Sequence, residues 1–301
     1  MPKTSTSATS ELARFRRAVL RWYPVNGRHA LPLRLTRDPY AVLVSEVMLQ
    51  QTQVERVIPY YAEWLQRWPA FPALAGATPA EVIRAWRGLG YNRRAVNLHR
   101  LAIAVQRAHG GLLPAEPAVL QALPGIGPYT AAAVRSFARD ERVAVLDTNI
   151  ARLLARVFAG VAIQREIRPR DLRDLAESLL PARDARDHNL ALMDFGAMVC
   201  TARGPRCQGC PVSPSCAWRA AGYPPGAAAA RPAVAFEDTP RFARGRIIDA
   251  LRAGPATVDA LASMLAPQHA ARIDAYLAAL EGDALAVRTA GRVWALPPGS
   301  A

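Results

Sequence analysis

Cys200, Cys207, Cys210 and Cys216 are the only cysteines of a 301-residue chain, with six, two and five residues between them. Four soft thiolates in one short loop suit an iron–sulfur cluster or a zinc ion. Disulfides fit poorly, because no signal peptide pattern opens the chain, and the cytoplasm expected from that keeps thiols reduced. Zinc modules usually pair two short knuckles, whereas here only Cys207 and Cys210 form one. The spacing therefore favours a cubane cluster.

Two carboxylates stand in contrasting settings. Glu46 falls in Ala41-Val42-Leu43-Val44-Ser45-Glu46-Val47-Met48-Leu49, apolar on nearly every side. A carboxyl desolvated there has a raised pKa and stays protonated near neutral pH, the state of a general acid. An ion pair with one of the many arginines accounts for it equally well. Asp147, in Val145-Leu146-Asp147-Thr148-Asn149, precedes a helical stripe of Ile150, Leu153, Leu154, Val157 and Phe158. There it caps free N–H groups, which lower its pKa and hold it ionised. Capping alone explains that residue. One neutral acid and one anion together, however, divide the labour of breaking a glycosidic bond. The acid protonates the leaving group, and the anion stabilises an oxocarbenium-like sugar cation.

A strongly basic chain needs an anionic partner. The net charge is +14 and the isoelectric point about 10.7, and Lys3 is the only lysine, so the body of the chain offers no side-chain amine for a Schiff base. No apolar run approaches the length of a membrane helix, and no basic amphipathic helix has a fully apolar opposite face. Nucleic acid is the expected partner. Leu123-Pro124-Gly125-Ile126-Gly127-Pro128-Tyr129 supplies a contact. Gly125 and Gly127 permit positive φ and a tight reversal with unobstructed N–H groups, and Ile126 plugs the turn into its core. Beside a helix N-terminus such donors bind one backbone phosphate without reading sequence.

Helices must position these groups. Leu12, Phe15, Val19 and Leu20 form a stripe at helical spacing; Asp38-Pro39 opens a helix through Gln50, and Thr78-Pro79-x-Glu81 is a capping box. Further helices are expected over 93–109, 116–122, 128–139, 148–158, 169–180 and 186–198. Residues 1–10 read as a disordered tail and 11–220 as a mostly α domain that ends in the cysteine loop, 200–216. Residues 221–240, rich in Ala, Pro and Gly, read as a linker. Residues 241–298 carry three helical stretches, from near Arg241, Thr257 and His269, then a hairpin of strands near 284–288 and 293–296. That pattern fits a small winged-helix-like module, or a helical cap on the main domain.

Ser45-Glu46-Val47-Met48-Leu49-Gln50-Gln51-Thr52-Gln53-Val54, the Gly125–Gly127 turn, Asp147-Thr148-Asn149 and the cysteine spacing occur in one order over residues 11–220. Together they resemble the helix-hairpin-helix DNA glycosylase superfamily, and within it the MutY-type adenine glycosylases. The resemblance implies a two-lobed α-helical domain acting in base excision repair on double-stranded DNA that contains a mismatch or oxidised guanine. It implies that Glu46 protonates adenine and Asp147 stabilises the sugar cation, with Asn149 and Tyr129 in support. Gln50, Gln51 and Tyr91 would enter the duplex, Arg93 and Arg94 would hold phosphates, and the four cysteines would bind a [4Fe–4S] cluster, with Arg203 and Arg206 of its loop on DNA. Tyr129 occupies the position at which strand-cutting relatives such as endonuclease III carry a lysine, so base removal without a lyase step is expected.

Three departures accompany this resemblance. Leu33 stands where the family usually has tryptophan, Asn92 replaces a second tyrosine, and the C-terminal segment is too short for the Nudix-like domain of longer members. Thymine or uracil mismatch glycosylases share the tyrosine and the cysteine spacing. A non-enzymatic DNA-binding or redox-sensing iron–sulfur protein has no need of Glu46 and Asp147.

Overall fold

The computed structural model describes residues 5–226 and 234–299, and it is mostly helical. The helices run α1 (Ser5–Asn26), α2 (Pro39–Leu49), α3 (Val54–Arg67), α4 (Phe71–Ala75), α5 (Pro79–Ala85), α6 (Arg93–His109), α7 (Pro117–Ala122), α8 (Pro128–Arg139), α9 (Thr148–Leu154), α10 (Pro169–Leu179), α11 (Ala185–Met198) and α12 (Ala217–Ala220). Then come α13 (Pro240–Ala253), β1 (Ala256–Thr257), α14 (Val258–Ser263), α15 (Pro267–Ala270), α16 (Ile273–Gly282), β2 (Val287–Arg288) and β3 (Val293–Ala295). Among the described residues no helix is long and apolar enough to cross a membrane. The chain divides into two compact units, residues 1–39 with 128–230, and residues 40–127 with 231–301.

In the first unit α11 packs against α1, α8 and α9. Phe15 meets Phe158 and Trp22 meets Phe195, each edge-to-face at 5.1 Å between ring centres. Buried Asp194 of α11 binds Arg28 and Arg34 at 2.7 and 2.5 Å, which pins the segment before α2. The expected tail of residues 1–10 is corrected in part: residues 1–4 lie outside the described residues, but α1 already begins at Ser5. Small hydroxyl residues, read as a solvated tail, are also the residues that open helices. The helix expected over 148–158 ends its regular part at Leu154 and finishes in a wider π turn, Ala155–Ala159.

The second unit is built around aromatic packing. Trp64 of α3 stacks edge-on against Trp68 and Trp86, and its indole N–H donates to the Tyr40 hydroxyl at 3.2 Å. Helix α3 was not among the expected elements, because Pro59 inside it interrupts the stripe of Val57, Tyr61 and Trp64. The Thr78 capping box is present, with Glu81 N–H donating to Thr78 Oγ1 at 3.2 Å and Thr78 N–H to Glu81 Oε2 at 2.8 Å.

The C-terminal segment belongs to this second unit. Its strands form one antiparallel sheet in the order β1-β3-β2, pairing Ala256 with Trp294 and Val287 with Ala295. Its core residues, among them Ile247, Ile248, Leu251, Leu277 and Trp294, pack in one cluster with Ile83 of α5 and Val96 of α6. Of the expected linker, residues 227–233 lie outside the described residues; Phe236–Asp238 form a short 3-10 turn that leads into α13.

Candidate active site

Asp147 caps α9 as expected: its Oδ1 accepts from Ile150 N–H at 2.7 Å. Its Oδ2 accepts from Asn149 Nδ2 at 2.8 Å, and Asn149 Oδ1 in turn accepts from Arg152 Nη2 at 3.1 Å. A guanidinium only donates, so Arg152 fixes which way the Asn149 amide faces, and Asn149 then presents its N–H₂ to the carboxylate. The direction of the pKa shift differs from the expectation. Burial raises the Asp147 pKa above the ordinary carboxylate value, against the lowering effect of Ile150 N–H, Asn149 and Arg152. The cap is present, but loss of water around the carboxyl outweighs it.

Arg152 reaches further. Its Nη2 donates to Gly196 O at 2.6 Å and its Nε to Cys200 O at 2.9 Å, which ties the Asp147 network to α11 and to the start of the cysteine loop. Gly196 is the contact point between these helices. A Cβ there would stand 2.8 Å from Asn149 O and 2.9 Å from Asn149 C, so only glycine allows α9 and α11 this close. Neither residue is marked in the sequence, where Arg152 reads as one more basic residue. Tyr129 lies in the first turn of α8, half-buried.

The four cysteines, each partly exposed, line one cavity together with Leu153, Val157, Val199, Val212 and Trp218. Among the described residues no three His, Cys, Asp or Glu side chains converge tightly enough to hold a single metal ion. Burial pushes the Cys210 thiol up to about 11, and Cys200, Cys216 and Cys207 add to the shift. Burial also raises Cys200, opposed by Arg156. The Arg156 guanidinium lies 3.6 Å from Cys200 Sγ, stacks 4.5 Å from the Trp218 ring centre and donates to Thr201 O at 2.7 Å. Four thiols around one cavity, with Cys200 and Cys210 raised by burial, are a donor set suited to a polycation among them. Arg203 and Arg206 of this loop are exposed.

In the second unit Glu46 is buried, at 6% exposure, on a helix whose residues Tyr40–Met48 are all buried. The residues after α2 and those before α6 are joined by Arg94. This side chain, expected on a phosphate, is instead buried inside the protein. Its Nη1 donates to Val47 O, Met48 O and Gln50 O at 2.8, 2.9 and 2.6 Å. Its Nη2 donates to Thr52 Oγ1, Leu89 O and Gly90 O at 3.2, 3.0 and 3.0 Å. Burial lowers its pKa to about 10, so it remains charged at neutral pH. The carbonyls at the end of a helix lack partners in the helix itself, and one forked cation serves both them and the neighbouring loop.

The two loops joined by Arg94 carry the residues expected to enter DNA. Gln50 is half-buried, and Gln51 is exposed with φ of 58°. Tyr91 is exposed with φ of 46°. Both occupy the left-handed region that non-glycine residues rarely adopt. Arg93 is mostly exposed and lies 3.5 Å from Asp283. In the turn after α7, Gly125 has φ of 80° and Ile126 is buried, but Gly127 does not take positive φ. The reversal needs one left-handed residue, not two.

Comparison with known proteins agrees with this arrangement. Residues 44–180 match the HhH-GPD superfamily of base excision DNA repair proteins. The adenine DNA glycosylase of Mycobacterium tuberculosis (strain H37Rv) is 44% identical over 284 residues, which cover 93% of this chain and 92% of that protein. A thermostable thymine-DNA glycosylase of known structure is 31% identical, with a TM-score of 0.67 over 71% of this chain and 99% of its own. Endonuclease III in a trapped covalent DNA intermediate shares the fold at 18% identity and a TM-score of 0.63, over 72% of this chain and 99% of its own. The chain thus belongs to the adenine DNA glycosylase family of the helix-hairpin-helix superfamily, as a DNA glycosylase of base excision repair.

Proposed function

We propose that this glycosylase hydrolyses the N-glycosidic bond of adenine mispaired with guanine or 8-oxoguanine, acting on cytoplasmic DNA and leaving the strand intact. The observation that carries the reading is the Asp147 network, a desolvated carboxylate held by Ile150 N–H and by an Asn149 amide oriented through Arg152. In low dielectric a fixed anion stabilises a sugar cation more strongly than in water. Glu46 delivers a proton to a ring nitrogen of adenine, and the C1′–N bond breaks with its electron pair going to the base. Asp147 balances the oxocarbenium charge until water adds to C1′ and passes its proton to the Glu46 carboxylate, which restores the acid. Neutral adenine and an abasic site remain. Tyr129 supports this site but offers no amine, and Lys3 is the only lysine, which supports hydrolysis without a lyase step. Gly125 and Gly127 with Arg93, Arg203 and Arg206 serve the backbone, and Gln50, Gln51 and Tyr91 the displaced bases.

Cys200, Cys207, Cys210 and Cys216 line one cavity and would hold a [4Fe–4S] cluster, favoured over zinc because only Cys207 and Cys210 form a short knuckle. When bound, the cluster supplies a rigid cationic node that keeps the 200–216 loop folded. The thymine-DNA glycosylase likeness supports a second reading, removal of thymine or uracil opposite guanine. Glu46 separates the two, since adenine needs ring protonation to leave. Glu46→Gln should therefore lose adenine release by 100-fold or more, in the range of general acid catalysis, while binding of the mismatched duplex is kept. Equal release by the variant would defeat the proposal, and efficient borohydride trapping of an enzyme–DNA adduct would defeat its monofunctional part.

A further inference from the structure

We infer that the C-terminal segment positions the Tyr91 loop for entry into DNA, with Arg241 as the positioning residue. This rests on the reading of Tyr91 as a residue that enters the duplex.

Three successive residues of that loop are held from the C-terminal segment. Arg241 of α13 donates to the Tyr91 hydroxyl, and its guanidinium lies 4.9 Å from the Tyr91 ring centre. Arg252 Nη2 donates to Asn92 Oδ1 at 2.8 Å, and Asp283 Oδ1 lies 3.5 Å from Arg93 Nη1. The same Arg241 guanidinium lies 4.7 Å from the ring centre of Phe236, so one cation is flanked by two aromatic rings. All three side chains of this stack are exposed.

An exposed aromatic held at positive φ is a costly arrangement that local sequence does not secure. Arg94 fixes the carbonyls of Leu89 and Gly90 from inside, but it does not bond to the Tyr91 hydroxyl. Arg94 lies 5.5 Å from the Tyr91 ring centre, and among the described residues it is Arg241 that bonds the hydroxyl at the outer end of the ring. A ring restrained at both ends loses less freedom on insertion between bases than a free one, and that saving appears as affinity for the distorted duplex. The C-terminal segment then acts on specificity through Tyr91.

The test uses the full-length protein and a duplex with a stable abasic analogue at the target position and 2-aminopurine opposite it. Insertion of Tyr91 unstacks the 2-aminopurine and raises its emission. Arg241→Ala should weaken binding about tenfold, the combined worth of an exposed cation–π contact and one hydrogen bond, and should reduce the rise in emission. Arg241→Lys, which keeps a cation but not the planar fork, should fall between. Melting temperatures of both variants should stay near that of the parent, because Arg241 is exposed, whereas a mere fastening role would lower them and leave the emission unchanged. Wild-type affinity and emission in Arg241→Ala, with both reduced in Tyr91→Ala, would overturn the Arg241 inference alone. No effect in Tyr91→Ala would overturn the reading of Tyr91 itself, and with it the inference.

Discussion

Substituting Gly196 by alanine tests whether the placement of Asn149 governs catalysis. The new Cβ would stand 2.8 Å from Asn149 O and 2.9 Å from both its carbonyl carbon and its Cβ. Carbon contacts are comfortable only from about 3.5 Å, so α9 and α11 must part by roughly half an ångström or more. Backbone lines the contact, and no flexible side-chain end can swing aside. Overpacking of this kind costs about 1–3 kcal/mol, or several degrees of melting temperature for a chain of this size. The same displacement pulls Asn149 Nδ2 off Asp147 Oδ2, now 2.8 Å away, and Gly196 O off Arg152. Because an error of about 1 Å near the chemistry costs on the order of 100-fold in rate, half of it should slow base release roughly tenfold. The assay is single-turnover adenine release from a duplex with A opposite 8-oxoguanine at saturating enzyme, beside a melting curve and a binding isotherm. Gly245→Ala is the control, since nothing stands within 4 Å of a Cβ there and alanine in α13 should stabilise slightly. A Gly196→Ala enzyme with a lowered melting temperature and an unchanged rate would refute the role given to Asn149.

Other predictions follow from single groups. Arg94→Lys should lose about 2 kcal/mol or more in urea unfolding, since three ammonium donors cannot replace six hydrogen bonds from a planar fork; a loss below about 0.5 kcal/mol would mean those carbonyls are readily hydrated. The raised pKa of Asp147 has a definite sign: in the folded state the proton is bound more tightly than in the unfolded chain, so the ionised form costs stability at neutral pH. Relative to Asp147→Asn, the parent protein should gain stability as pH falls from 7 toward the carboxylate range, and a relative loss would restore the lowered pKa expected from capping alone. Cys210→Ser should remove visible iron–sulfur absorption and reduce the analysed iron and sulfide, with proteolysis then concentrated in residues 200–216; an intact chromophore would exclude Cys210 as a ligand.

Much of the helical frame was legible in the sequence because its signals are local. Thr78 with Glu81, Pro128 at a helix start and Asp147 before Ile150 mark helix ends through contacts spanning three residues or fewer, and the observed limits follow them. The candidate site residues were visible as types in unusual company: Glu46 in an apolar run, and four clustered cysteines. What stayed hidden depends on contacts distant in sequence. Arg94 looked like its neighbour Arg93, and only the fold shows that one is buried among carbonyls 44 to 47 residues away while the other faces outward. Arg152 and Gly196 meet Asn149 only because α9 and α11 cross. The Asp147 pKa turned on burial, which a cap motif does not encode. The hold of Arg241, Arg252 and Asp283 on residues 91–93 joins segments about 150 residues or more apart, beyond any spacing rule.

Adenine removal from a mispair is the reaction proposed for this protein, and a panel of duplexes probes it. The protein is incubated with A opposite 8-oxoguanine, A opposite G, T opposite G and U opposite G, and hot alkali then reveals abasic sites. The proposed reaction predicts cleavage at adenine in the first two duplexes and none in the others. Cleavage at thymine or uracil with both adenine duplexes intact would overturn that reaction.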